Sequence, residues 1–371
     1  MLIEDLYPPD RLVDAQRATA AAGLDALLIP PGSDLRYLTG YDAHALERLT
    51  CLVLPAHGEP TLIVPALERP AAEASPATGT GVRIVDHTDG TDPYPLVVRA
   101  LDGPVAAVGL GNRMWAEQLL ALRDALPGVT QRLAGEVLRD LRLRKSPAEV
   151  AALRAAGAAI DAVHTRMGEW LRPGRTEAQV GADIAAAILA AGHVTADFVI
   201  VAAGPNGASP HHETADRPIG AGEPVVVDIG GTMPSGYCSD STRCYVAGRP
   251  PPPEYVEYYQ VLHAAQRAAV GAVRPGVFAS SVDAVAREVI TDAGYGSAFL
   301  HRTGHGIGLD GHEDPYLVDG NDLPLGPGMA FSIEPGIYLA GRHGARIEDI
   351  VVCTADGVDR LNLTPREFVQ L

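Results

Sequence analysis

No stretch of this 371-residue chain is rich in lysine and arginine: 46 acidic residues oppose 29 basic ones, a formal charge of −17. That sign argues against nucleic acid and anionic membranes as partners. No uninterrupted apolar run approaches the roughly 20 residues that a membrane-spanning helix needs. The opening MLIEDLYPPD has no basic start followed by an apolar core, so no signal peptide is expected. Cysteine is scarce. Cys51, Cys238, Cys244 and Cys353 form no C-x-x-C pair, which reads as reduced thiols of a cytoplasmic protein with no metal role. Cys238 lies two residues from Asp240, so an oxidation-sensitive thiol is expected there. GLGNRM carries too few glycines in register for a dinucleotide loop. Tandem repeats are lacking too, and the only low-complexity segment is the proline run Pro250–Pro253.

What is present reads as a globular α/β chain. A hydrophobic fraction of 47% with 20% charged residues is ordinary for such proteins, and the length admits two domains. The division falls near residue 140. Before it, residues 11–23 read as a helix closed by Gly23, and DALLIP as a buried strand. LTCLVLP and PTLIVP flank a hairpin turn at His57-Gly58, and VRIVDH and VAAVGLG are further strands among helices such as MWAEQLLALRDAL. The expectation is a compact mixed-sheet α/β domain of about 130 residues. GSDLRYLTG (32–40) is its most site-like loop and reads as a plain connector. Beyond GEVLRDLRLRK, a probable linker helix by pattern, Ser146-Pro147-Ala148-Glu149 carries N-cap, first-turn proline and third-position Glu, predicting a helix to about Met167. A second helix starts at Thr176 and ends near Gly192, and both are Ala-rich and amphipathic. Strands at ADFVIVAAG, PVVVDIGG and YCSDSTRCYVAG follow, then helices at 254–273 and 280–293, then strands MAFSIEPGIYL and RIEDIVVC.

Five side chains in this second part carry the chemistry: Asp228, Asp240, His305, Glu334 and Glu348. Asp228 and Asp240 lie on two strands joined by the turn GGTMPSG. Antiparallel pairing at even separation puts both on one face, where apolar neighbours leave an unneutralised charge costly. HRTGHGIGLDGH holds three histidines among glycines, so His301 and His305 do not share a helix, and without H-E-x-x-H a one-zinc protease of that type is disfavoured. Glu334 and Glu348 interrupt apolar strands; an Arg346–Glu348 salt bridge is the alternative reading for the second. Four carboxylates carry −4 and two divalent cations +4, so the set balances as a dinuclear centre. Two ions sharing a water make a hydrolase.

With these motifs in this order, the chain resembles the pita-bread metallopeptidases over essentially its whole length. These are Xaa-Pro dipeptidases (prolidases), Xaa-Pro aminopeptidases and methionine aminopeptidases, with creatinase as a metal-free relative. The resemblance implies a creatinase-like N-terminal domain over 1–135, a linker helix over 136–147 and a pita-bread catalytic domain over 148–371. It implies that Asp240 and Glu348 bridge two metals, with Asp228, His305 and Glu334 completing their shells and Glu334 acting as base. His211 of SPHHE would contact the scissile carbonyl or leaving nitrogen, His312 would assist proton movement, and His301 would line the pocket. Arg346 and Tyr338 would hold Glu348 and the substrate respectively, and Tyr237 would reach the site. The spacing of 12 from Asp228 to Asp240 exceeds the more common 11, which implies a longer turn or a bulge. Mn²⁺, Co²⁺ and Zn²⁺ all suit the ligands, with Mn²⁺ preferred. Cleavage of Xaa-Pro dipeptides is expected, with Xaa-Pro aminopeptidase action on longer peptides as the alternative. A homodimer is expected, with Asp34 or Arg36 capping the partner's pocket. Intact ligands disfavour a metal-free or binding-only relative.

Overall fold

The computed structural model describes residues 3–371, with side chains from residue 5 onward. The chain folds as two compact units, Met1–Arg142 and Leu143–Leu371. The first holds one six-stranded mixed sheet, in the order Arg83–His87, Thr61–Pro65, Cys51–Pro55, Ala26–Ile29, Ala107–Leu110, Thr130–Leu133. The Cys51–Pro55 and Thr61–Pro65 strands are antiparallel, as the hairpin signal at His57-Gly58 predicts. Residues 32–40 depart from expectation. Ser33–Thr39 is a helix rather than a connector, entered through Gly32 and closed by Gly40 in the left-handed region (φ 74°). Leu35, Leu38 and Thr39 are buried, so packing outweighs the local turn signals. Asp34 pairs with Arg142, and Arg36 with Asp42.

The second unit opens with a helix, Pro147–His164, carrying the capping box that Ser146 and Glu149 predict. Glu177–Ala190 is capped in the same way by Thr176 and Gln179. Both pack on a four-stranded sheet ordered Val369–Gln370, Cys238–Val246, Pro224–Thr232, Thr195–Ala203. Because side chains alternate along a strand, Val225, Val227 and Ile229 meet the two helices through Ile160, Val163, Val180 and Ile184. Each of these buried aliphatic side chains contributes about 1.5–3 kcal/mol of transfer free energy. Even-numbered positions face the other way. Val226, Cys244 and Val246 join a second core with helices Pro253–Ala272 and Ala279–Asp292 and with Ile333, Ile337, Ala345 and Ile347. Asp228 and Asp240 share that parity, so the two acids stand on the face turned toward the C-terminal strands.

His164 gives the unit a measurable acid sensitivity. Its Nε2 donates to the Ser241 carbonyl at 3.1 Å and its Nδ1 lies 2.9 Å from the Tyr245 hydroxyl, which fits the neutral ring. Burial and the nearby Arg243 charge push its pKa down to about 3. An unfolded histidine titrates near 6.5, so this stability is complete above about pH 6.5 and is lost as pH falls toward 3. Between pH 7.5 and 4.5 the wild type should lose about 3 kcal/mol more than His164→Gln, whose amide does not titrate. Urea unfolding of both proteins at the two pH values checks this; equal losses would remove His164 as the cause.

Candidate metal centre

The Asp228 and Asp240 strands pair without interruption from Pro224↔Val246 to Thr232↔Cys238. Their register sets Asp228 opposite Thr242, and Asp240 opposite Gly230. The additional residue of the 12-residue spacing is therefore accommodated in the turn, with no bulge in this pair. Glu334 and Glu348 are arranged differently from the continuous strands that were expected. MAFSIEPGIYL splits into Ala330–Ile333 and Gly336–Leu339, and the other segment into His343–Arg346 and Asp349–Cys353. The pairs Ile333↔Asp349 and Gly336↔Arg346 keep one register across the gap, so Glu334 and Glu348 lie opposite each other where the chain changes sheet. Pro335 has no N–H to give a ladder, which suits it to that break. His305 sits on the short strand Gly304–Gly306, which shares one five-stranded sheet with Ala330–Ile333 and Asp349–Cys353. A Cβ on Gly304 would come within 1.9 Å of the Ser332 carbonyl oxygen, and one on Gly306 within 2.1 Å of the Asp314 oxygen. Only glycine lets the backbone on both sides of His305 approach this closely.

These elements bring all five side chains together. Asp228, Asp240 and Glu348 form one group with ligand atoms within 4.8 Å of one another, and His305, Glu334 and Glu348 form another. His312 forms a third group with Asp240 and His305. The His305 Nδ1 donates to the Gly306 carbonyl at 3.1 Å. Its Nε2 consequently faces the acids, 3.2 Å from Glu334, 3.6 Å from Asp240 and 4.0 Å from Glu348. Burial works against a charged ring, yet hydrogen bonding and charge from Glu334, then Asp240, raise its pKa to about 8. The same pairing, against burial, holds Glu334 down at about 2. Burial, followed by repulsion from Asp228, raises Asp240 well above the carboxylate range; burial and Asp240 do the same to Glu348. Asp228 Oδ1 is buried without a hydrogen-bond partner. An orphaned carboxylate oxygen inside a ring of acids fits a cation, because divalent charge removes the repulsion and occupies the lone pairs.

Arg346 does not hold Glu348 by a salt bridge. Its Nη2 contacts Asp228 at 2.5 Å, its Nη1 reaches the Tyr338 hydroxyl and the Pro210 carbonyl, and its Nε donates to Thr242 Oγ1. Thr242 in turn donates to Glu348 Oε2 at 2.8 Å and couples the two acids. Thr242 faces Asp228 across the pair, so register alone could have found it. Tyr338 does not line the cavity either. Its hydroxyl lies 2.8 Å from His301 Nε2, while His301 Nδ1 donates to the Arg302 carbonyl at 2.7 Å. His301 thus has both nitrogens engaged and presents a fixed ring to the cavity. Tyr237 turns away: its hydroxyl donates to Glu149, tying the strand to the capping box of Pro147–His164. Cys238 is buried and burial pushes its thiol up to about 12, so the thiolate that oxidation requires is suppressed. All four cysteines are unpaired and buried.

The centre opens into a cavity of about 770 Å³. Phe198, Val199, Ile200 and Pro210 give it an apolar side; His211, His301, Arg302 and His312 give a polar one. The His312 ring is 3.8 Å from that of His305, centroid to centroid, and burial with the His305 charge lowers its pKa to about 4. His211 is exposed on the loop after Thr195–Ala203. That loop is held by Glu177, which sequence reading missed. Its fully buried carboxylate accepts from the backbone N–H groups of Ala203 and Ala215, from Asn206, and pairs with His212 at 2.8 Å. Its only sequence signal is a Glu in the first helical turn, where acids are common for reasons of helix polarity. Beside His312, Glu313 pairs with the buried Lys145 at 2.5 Å.

Among the described residues, no helix is long and apolar enough to cross a membrane. Residues 11–144 match the creatinase/prolidase N-terminal domain, and residues 151–355 match metallopeptidase family M24. A protein described as probable dipeptidase PepE of Mycobacterium bovis is 55% identical over 359 residues, covering 97% of this chain and 95% of that protein. An Xaa-Pro dipeptidase of Lactobacillus delbrueckii subsp. lactis is 37% identical, covering 93% and 95%. The crystal structure of dipeptidase PepE from Mycobacterium ulcerans superposes with a TM-score of 0.93 at 56% identity, covering 99% of this chain and 98% of that one. With its acid-and-imidazole centre on the pita-bread sheets and a creatinase/prolidase domain before it, this chain belongs to metallopeptidase family M24.

Proposed function

We propose that this enzyme is an Xaa-Pro dipeptidase that uses two divalent ions, Mn²⁺ by preference, held by Asp228, Asp240, His305, Glu334 and Glu348. The observation that carries the metal reading is the buried, unpartnered Asp228 Oδ1 inside a cluster of acids that cannot all be charged alone. When bound, the ions supply a Lewis acid for the carbonyl and bring the pKa of the attacking water toward neutrality. Glu334 takes the water's proton as general base. His211 meets the scissile carbonyl or leaving nitrogen, and His312, a neutral ring, relays to that nitrogen the proton that Glu334 has taken from the water. A proline nitrogen carries no hydrogen and its ring restricts the chain, so the apolar side at Phe198 and Pro210 accommodates the ring. Arg346 pairs with Asp228 and aligns it, and Tyr338 fixes His301. The family relatives described as dipeptidases support the short-substrate form of this reading. We place the enzyme in the cytoplasm as a homodimer, with the segment around Asp34 and Arg36 covering the partner's cavity.

Hydrolysis of Ala-Pro should exceed that of Ala-Pro-Gly, both followed by free alanine release. Faster cleavage of the tripeptide would overturn the dipeptidase reading in favour of an Xaa-Pro aminopeptidase. Chelation followed by dialysis should abolish activity, and Mn²⁺ should restore it. Elemental analysis of the restored enzyme should give two ions per chain; less than one would end the dinuclear reading.

A further inference from the structure

After the edge strand Thr195–Ala203 the chain returns alongside it through His211-His212-Glu213-Thr214. Thr214 Oγ1 donates to the Val199 carbonyl at 2.9 Å and accepts from the Val201 N–H at 3.2 Å, which places Thr214 beside Ile200. Side chains of this segment alternate. His212 pairs with Glu177, and a Cβ on Gly181 would come within 3.2 Å of the Thr214 methyl, so both face the helix Glu177–Ala190. His211 and Glu213 therefore project to the opposite side, and both line the cavity. Ile200 stands opposite Asp228 in the sheet, so Glu213 lies on the metal-binding face, two strand spacings or roughly 10 Å from Asp228. Among the described residues, four of the acids lining the cavity are the metal-binding set, and only Glu213 stands outside it. Its carboxylate is exposed, and no hydrogen bond or ion pair from the described residues engages it.

An acid at that distance is out of reach of the substrate's α-ammonium. In an Xaa-Pro dipeptide the ammonium is attached to the Cα next to the scissile carbonyl, so it stays beside the metal-binding acids. The Xaa side chain leaves the same Cα and can run along the wall, past Ile200, to Glu213. We propose that Glu213 pairs with the cationic head of a lysine or arginine in the Xaa position, and thereby makes the enzyme selective for basic Xaa-Pro dipeptides. This inference rests on the Xaa-Pro reading. A lysine stem lays its four carbons on Ile200 while its ammonium keeps contact with water at the exposed carboxylate, as long cationic side chains prefer. An acidic Xaa would set two carboxylates against each other and is disfavoured.

The test measures kcat/KM for Lys-Pro, Glu-Pro and norleucyl-Pro, which keeps the lysine stem without its charge, in the wild type, E213Q and E213K, with metal content determined for each. The wild type should prefer Lys-Pro over norleucyl-Pro by about 5–10-fold, chiefly through KM. High salt should shrink that preference. E213Q should bring the ratio close to one, and E213K should favour Glu-Pro over norleucyl-Pro. A wild-type ratio below about twofold, or a ratio that E213Q leaves unchanged, overturns the assignment. A wild type that leaves every Xaa-Pro peptide intact but cleaves Lys-Ala or norleucyl-Ala rejects the Xaa-Pro reading instead. The ratio measured on those two peptides then decides the role of Glu213 separately.

Discussion

Asp240→Asn should lower kcat/KM for Ala-Pro by at least about 1,000-fold and leave less than one metal ion per chain. Asp240 belongs to two of the three candidate ligand groups, one with Asp228 and Glu348 and one with His305 and His312. It is 4% exposed, so water cannot take over its function. Asparagine keeps the shape but offers a single neutral oxygen, and its NH₂ repels a cation. The metal-free variant should be no less stable than metal-free wild type, because a buried acid repelled by Asp228 and Glu334 has been neutralised. That pairing of lost activity with retained stability separates a ligand from a structural residue. Activity above one tenth of wild type with full metal content would sink the ligand role of Asp240.

Glu334→Gln should reduce kcat by about 10²–10⁴-fold while KM changes far less. Glu334 Oε1 accepts from Ser332 Oγ at 3.1 Å and faces His305 Nε2, so its orientation is set by neighbours that glutamine leaves in place. The group formed by Asp228, Asp240 and Glu348 remains whole, and at least one ion should stay bound. Single-turnover hydrolysis with metal analysis measures both effects. Loss of both ions together with activity would assign Glu334 a ligand role alone and remove it as base.

The pair Asp228 and Asp240 was legible because strand periodicity is two and their separation is even. The His305 segment was legible because glycines on both sides exclude a helix. The break at Glu334 and Glu348 was not. Each acid sits in a run that reads as one strand, and only pairing between segments reveals the change of sheet. Arg346 was assigned to Glu348, two positions away, whereas it binds Asp228, 118 positions away. Local spacing cannot weigh a partner supplied by another strand. The same reason hid Glu177, whose loop partners lie 26 to 38 positions downstream. Ser33–Thr39 was misread as a connector because its two flanking glycines dominate a short window, while burial of Leu35 and Leu38 decides the outcome.

The register that sets Glu334 against Glu348 continues to a three-residue tip, Ala340–Arg342, between the paired Leu339 and His343, with Gly341 in the left-handed region (φ 73°). Residues added at that tip lengthen the loop and leave the facing of the two acids untouched, since loop growth costs little. One residue added between Glu334 and Leu339 reverses the side on which everything before it projects relative to the other arm. The hairpin therefore divides tolerated from ruinous insertions within six residues, and its tip is where a peptide tag can be carried inside the catalytic unit without altering the grip on metal.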